Sequence, residues 1–143
     1  MKEIIIALQD KDDKKAYELS KVISAKSAES DEFYTYFDDF IDLLIHPSSY
    51  VRTRGFCLAC AQARWDTKDK LKNNLDLMLK MLHDDKPTAV RQCLAALHGV
   101  ILFKPELCKV IRQELKKIDL SKYKDTMAPL IKKDIDALVK MIE

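Results

Sequence analysis

Apolar residues recur at spacings of three and four along almost the whole chain, and the runs they form come in pairs separated by short polar breaks. Leu71, Leu75, Met78, Leu79 and Leu82 make one stripe, and Val90, Leu94, Leu97 and Ile101 make the next, after the break HDDKP. That period predicts amphipathic helices. Pro87 suits a first helical turn, where the missing N–H would have had no partner. Upstream, Phe33, Tyr36, Phe37, Phe40, Leu43 and Leu44 form an aromatic-rich stripe behind Ser30, a candidate N-cap. It must end near His46-Pro47, because the residue before a proline is pushed out of the helical region.

The following segment, Tyr50 to about Trp65, is rich in small side chains (Gly55, Cys57, Ala59, Cys60, Ala61, Ala63), with Ser48 or Ser49 as cap, and is predicted to be the most buried helix. Asp66 with Asp69 three residues on predicts a capping box opening the helix of Leu71. Pro105-Glu106 opens another helix, with stripe Leu107, Ile111, Leu115 and Ile118. After the longer connection DLSKYKDT comes the last one, with Pro129 in its first turn and Ile131, Ile135, Leu138, Met141 and Ile142 inward. At the front, Ile4, Ile5 and Leu8 suit a short opening helix or a strand, and Ala16, Leu19, Val22 and Ile23 predict a helix over 13–27. The count is about eight helices in four hairpins, an all-α chain.

The hairpins repeat. At an offset of 39 residues, Tyr36, Phe40, Leu43, Val51, Arg52 and Leu58 align with Leu75, Leu79, Leu82, Val90, Arg91 and Leu97. The third copy fits in two pieces: Leu71 to Leu82 map onto Leu107 to Ile118 at 36, and Val90 to Ile101 onto Ile131 to Ile142 at 41. Two-helix units that cannot bury a face alone stack into a solenoid. The turns Leu43-Leu44-Ile45-His46-Pro47 before Val51-Arg52, and Leu82-His83-Asp84-Asp85-Lys86-Pro87 before Val90-Arg91, resemble those of HEAT repeats.

The resemblance covers about residues 31–143 and implies a right-handed α-α superhelix of about four hairpins. It would make 1–143 one domain, with 1–30 a degenerate cap and repeats over 31–66, 67–104 and 105–143. It implies that Arg52, Asp85 and Arg91 tie successive turns together, with His46 and Lys132 standing where the pattern has aspartate and arginine. It also implies that second helices line a concave binding face, making Arg54, Gln92, Lys133 and Asp136 its candidate residues.

Composition narrows the function classes. The 143 residues are 48% hydrophobic and 34% charged, with only two glycines and four prolines, as befits one folded helical domain. Formal charge is +2, so no strong polyanion-binding signature exists overall. Its distribution is uneven: residues 1–48 carry six lysines and eleven acids, net −5, and the remainder nineteen basic residues and twelve acids, net +7. No stretch reaches the length of a membrane span, and no export signal accompanies the four cysteines, so reduced thiols in the cytoplasm are expected.

Cys57 and Cys60 form a CxxC in mid-helix, without the second pair of ligands a structural zinc site needs and without the strand–helix context of redox motifs. They are read as small core residues. His98 could approach Cys60 across adjacent repeats, but no nucleophile turn accompanies the pair. Asp38 and Asp42 share a helix side that reads as solvated, and Trp65 as cover for the end of its hairpin.

The basic run Arg52, Arg54, Arg64, Lys68, Lys70 and Lys72 is broken by Asp66 and Asp69. The expectation is a module that binds a protein partner, with no catalysis, cofactor or metal. The alternative is nucleic-acid binding, through a distant similarity to HEAT-like alkylpurine DNA glycosylases. It requires positive charge from Arg54, Arg64, Arg91, Lys132 and Lys133 to converge on one concavity.

Overall fold

The computed structural model describes residues 2–143, whose regular elements are all helices, with no strand among them. Eight α-helices follow one another: α1 (Glu3–Ala7), α2 (Asp13–Ser27), α3 (Phe37–Asp42), α4 (Ser49–Cys60), α5 (Lys70–Leu79), α6 (Pro87–Phe103), α7 (Cys108–Leu115) and α8 (Ala128–Ile142). Short 3₁₀ turns extend the odd-numbered helices, over 34–36, 43–45, 80–83 and 105–107. Each even-numbered helix packs on the next, α2 on α4, α4 on α6 and α6 on α8, while α3 packs on α4 and α7 on α8. Val51, Val90 and Ile131 are all buried, each in the first turn or so of α4, α6 and α8, as are Leu58, Leu97 and Leu138 further along the same helices.

α4 sits at the centre and buries nine of its twelve residues, against two for α8 at the end of the row. Gly55 explains how α3 comes so close. A Cβ there would lie 2.5 Å from the Phe40 carbonyl oxygen and 2.7 Å from the Leu43 Cβ. At this position nothing larger than Gly fits.

Several local expectations are revised. The segment beginning at Asp31 is no continuous helix. Ser30 only accepts the Glu32 N–H in a bend, and regular α-helix starts at Phe37. Neither Ser48 nor Ser49 caps α4 with its side chain; the Ser48 N–H is taken instead by His46 Nδ1 at 3.0 Å.

Asp66 does cap α5, accepting the Lys70 and Leu71 N–H groups, each at 3.0 Å. Asp69 gives nothing back. It holds φ at 55°, in the left-handed region, so that the chain can turn into the helix. α2 has the predicted bounds but a rotated face: Ala16, Ser20, Ile23 and Ser27 point inward, while Val22 is 50% exposed. The two serines go inside because their hydroxyls bond the Tyr17 and Ile23 carbonyls of their own helix.

Candidate functional site

Three helices that run the same way build a groove. Residues of their first turns (Asp13 and Lys14 of α2, Ser49 and Tyr50 of α4, Thr88 and Ala89 of α6) line a cavity of about 260 Å³ at one end. Residues further along the same helices, among them Ser20, Ser24, Cys57, Ala95 and Phe103, line a second cavity of about 460 Å³. Tyr17, Thr53, Arg54 and Gln92 border both, so the two are one continuous depression.

The groove floor is small and its edges are large. Thr53, Cys57, Ala61, Ala95, Ala96 and Gly99 leave room for a guest backbone. Tyr17, Tyr50 and Phe103 stand at the margins, 45%, 50% and 39% exposed. The Arg64 guanidinium lies over the Phe103 ring at 4.6 Å, and the Lys21 ammonium over the Tyr17 ring at 5.4 Å. Lys14, Lys21 and Arg64 make no ion pair among the described residues.

The residues expected on a concave face separate. Gln92 is in the groove and exposed. Arg54 is at the groove but is only 5% exposed, so it is no free binding group. Its guanidinium donates to the Leu8 carbonyl at 2.7 Å and to the Asp13 carboxylate at 2.6 Å, fastening α1 and α2 to α4. Lys133 and Asp136 are exposed on α8, outside both cavities, and Asp136 pairs with Lys132.

The ties between layers are real but differently placed than expected. Arg52 donates to the His46 and Pro47 carbonyls of its own turn and to Asp84 at 2.8 Å. Asp84, not Asp85, is its partner: Asp84 is 8% exposed, whereas Asp85 is fully exposed and approaches only Lys122, at 3.7 Å. Arg91 reaches Asp134 at 2.7 Å, a residue of α8 rather than of a turn, because the longer third connection moves the turn away. That connection is bound down elsewhere: Lys122 and Tyr123 donate to the His83 and Asp84 carbonyls, and His83 bonds Glu114.

Two clusters escaped sequence reasoning. Asp66 is 2% exposed and accepts the Tyr34 hydroxyl at 2.6 Å in addition to its two backbone donors, with Lys104 alongside. Burial and this bond push the Tyr34 hydroxyl up to about 12. The second cluster is of thiols. The Cys57 thiol donates to the Gln92 carbonyl, which brings it to Cys93. Hydrogen bonding with Cys57 and burial push the Cys93 thiol well up, and burial does the same to Cys60.

All four cysteines are free, and among the described residues no three His, Cys, Asp or Glu side chains gather as metal ligands. His98 is exposed on α6. No helix among the described residues is long and apolar enough to cross a membrane. Comparison of the chain with family models, curated proteins and solved structures returns no match.

Proposed function

We propose that this chain is a HEAT-like solenoid, a right-handed superhelix of about four hairpins, that works in the cytoplasm as a protein-interaction module without chemistry of its own. The observation that carries the reading is the continuous groove across α2, α4 and α6. A floor of small side chains with exposed aromatic residues at the edge is what a docked segment needs: close approach, then anchors. The twelve residues of α4 give a floor about 18 Å long at 1.5 Å per residue, three turns of a guest helix.

Charge selects the guest. Lys14, Lys21 and Arg64 rim the groove with free positive charge, and the one acid lining it, Asp13, is already held by Arg54. An amphipathic helix with acidic flanks is the complement. Nucleic acid is the weaker candidate. Of the five cations that reading needs, Arg54 is buried on Asp13, Arg91 is on Asp134 and Lys132 is on Asp136, leaving only Arg64 in the groove.

The test is site-specific photo-crosslinking in cells from Ala95, in the groove, and from Asp76, on α5 outside it. A defined partner crosslinked from Ala95 alone, and lost when Ala96→Trp fills the floor, supports the reading. Crosslinks only from Asp76, or capture indifferent to Ala96→Trp, would overturn it.

A further inference from the structure

The groove holds thiols that docking alone does not require. Cys57 and Cys60 belong to α4 and Cys93 to α6, two helices that pack together. Cys57 is half-buried and lines the larger cavity, whereas Cys93 is fully buried. The Cys57 thiol donates at 3.7 Å to the Gln92 carbonyl, the one bonded to the Cys93 nitrogen. The Cys93 thiol is itself hydrogen-bonded with Cys57. One sulfur open to the groove thus adjoins another that solvent does not reach.

That asymmetry sets the chemistry. A hydroperoxide small enough to enter the cavity meets Cys57 first. Hydrogen bonding with Cys57 and burial hold the Cys93 thiol well up, and burial does the same at Cys60, so neither is a direct target. A sulfenic acid formed beside a second thiol condenses with it to a disulfide.

Geometry chooses between Cys60 and Cys93. Cys57 and Cys60 are three residues apart within α4, and Cβ atoms so spaced on a helix lie about 5–6 Å apart. A disulfide needs them about 3.5–4.5 Å apart, so that bond would distort the last turn of α4. Cys93 comes from a separate helix, and turning two side chains is enough to join it. Cys108 is the contrast: it is half-buried too, but its neighbours are the Ile101 carbonyl and Glu106, not a second thiol.

We propose that Cys57 is a site of oxidation by hydroperoxides and that Cys93 completes it, giving a reversible disulfide that ties α4 to α6 at the groove floor. The Cys57 sulfur gives up its proton and attacks the outer oxygen of the hydroperoxide. The O–O bond breaks, the alcohol or water leaves with a proton, and Cys57 becomes a sulfenic acid. The Cys93 sulfur then attacks the Cys57 sulfur, the S–S bond forms, and the departing hydroxyl carries the Cys93 proton away as water. Two electrons have passed from the two sulfurs to the peroxide, and a dithiol reductant returns them. The bond also takes from Gln92 its Cys57 donor and draws that sulfur off the floor. This effect on the groove rests on the docking reading, whereas the bond itself does not.

The reduced full chain is treated with hydrogen peroxide, alkylated, digested and mapped by mass spectrometry. The expected product is a single chain lighter by two hydrogen atoms, with Cys57 joined to Cys93, restored by dithiothreitol, and with Cys108 in no disulfide. Cys93→Ala, checked for folding by circular dichroism, should lose the disulfide and accumulate a Cys57 sulfenic acid that dimedone traps. Cys57→Ala should leave Cys93 unoxidised.

A Cys57–Cys60 bond, a disulfide between two copies, or equal dimedone trapping at Cys57 in the parent and in Cys93→Ala would overturn the inference. The parent's own map decides it even where a variant does not fold. The two readings fail separately. The mapped Cys57–Cys93 bond without any Ala95 crosslink removes docking alone, and an Ala95 crosslink without that bond removes this inference alone.

Discussion

The chain contains two glycines, both in helices of the groove, and the structure predicts opposite outcomes for the same change at each. At Gly55 a new methyl would sit 2.5 Å from a backbone oxygen of α3 and 2.7 Å from the Leu43 Cβ. Neither neighbour is the free end of a flexible side chain, so α3 must move off α4. Overpacking of this kind costs about 1–3 kcal/mol, and with backbone on the other side the upper end applies. Replacing a mid-helix Gly returns about 1 kcal/mol of helix propensity. Gly55→Ala should therefore lose about 2 kcal/mol, lowering Tm by roughly 6–8 °C for a chain of this size.

At Gly99 the nearest atom to a new Cβ is the Cys60 carbonyl oxygen at 3.9 Å, an ordinary contact. There only the propensity gain remains, about 1 kcal/mol and roughly +3 °C. Paired thermal melts by circular dichroism, with urea midpoints for each variant, decide it. A Gly55→Ala protein as stable as the parent would refute the close approach of α3 on α4, and with it the burial of α4.

The remaining predictions are shorter. Arg52→Ala and Asp84→Ala should each cost about 2–3 kcal/mol and couple strongly in a double-mutant cycle, while Asp85→Ala stays within about 0.5 kcal/mol; urea unfolding of the four proteins reads this, and equal costs at 84 and 85 would refute the assignment of the tie. Tyr34 and Tyr123, each pushed up to about 12 from 10.0 by burial first and nearby acids second, keep their protons in the folded protein after the unfolded chain has lost them. Stability should thus be flat with respect to these groups below pH 10 and fall as pH climbs from 10 toward 12; a Tyr34→Phe, Tyr123→Phe protein should lose that part of the decline in urea midpoints measured across the range. Native protein should give up Cys57 and Cys108 to a thiol reagent and withhold Cys60 and Cys93, which are buried with raised thiols, until denaturant is added; mass mapping of the labelled cysteines checks the order.

What the sequence made legible was what depends on period and on backbone chemistry. The recurrence of Val51, Val90 and Ile131 placed three buried residues, because a stripe at helical spacing can be buried only on one side. Pro87 and Pro129 fell in first turns for the same local reason. What failed depended on a third element. Arg54 looks like a surface cation until Leu8 and Asp13 arrive from an earlier hairpin to enclose it. Asp84 and Asp85 are indistinguishable along the chain, and only the direction of the turn decides which one meets Arg52. The α2 face was misjudged because serine was counted as polar, although its hydroxyl can be satisfied within the helix.

The uneven charge of the sequence now has a structural use. An acidic first third stands against a basic remainder. Arg54 is spent on Asp13, Lys70 on Asp38 and Arg52 on Asp84, at separations of 41, 32 and 32 residues. Lys2 on Asp39 and Arg91 on Asp134 add separations of 37 and 43. These lengths are about that of one hairpin, so the pairs join helices one hairpin apart in the chain. Part of the charge is thereby consumed in holding neighbouring helices together. Lys14, Lys21 and Arg64 are among the cations that make no ion pair with the described residues, and these three stand at the groove of α2, α4 and α6. Unpaired positive charge beside a groove whose one acid, Asp13, is held by Arg54 is what the proposed acidic-flanked guest would meet.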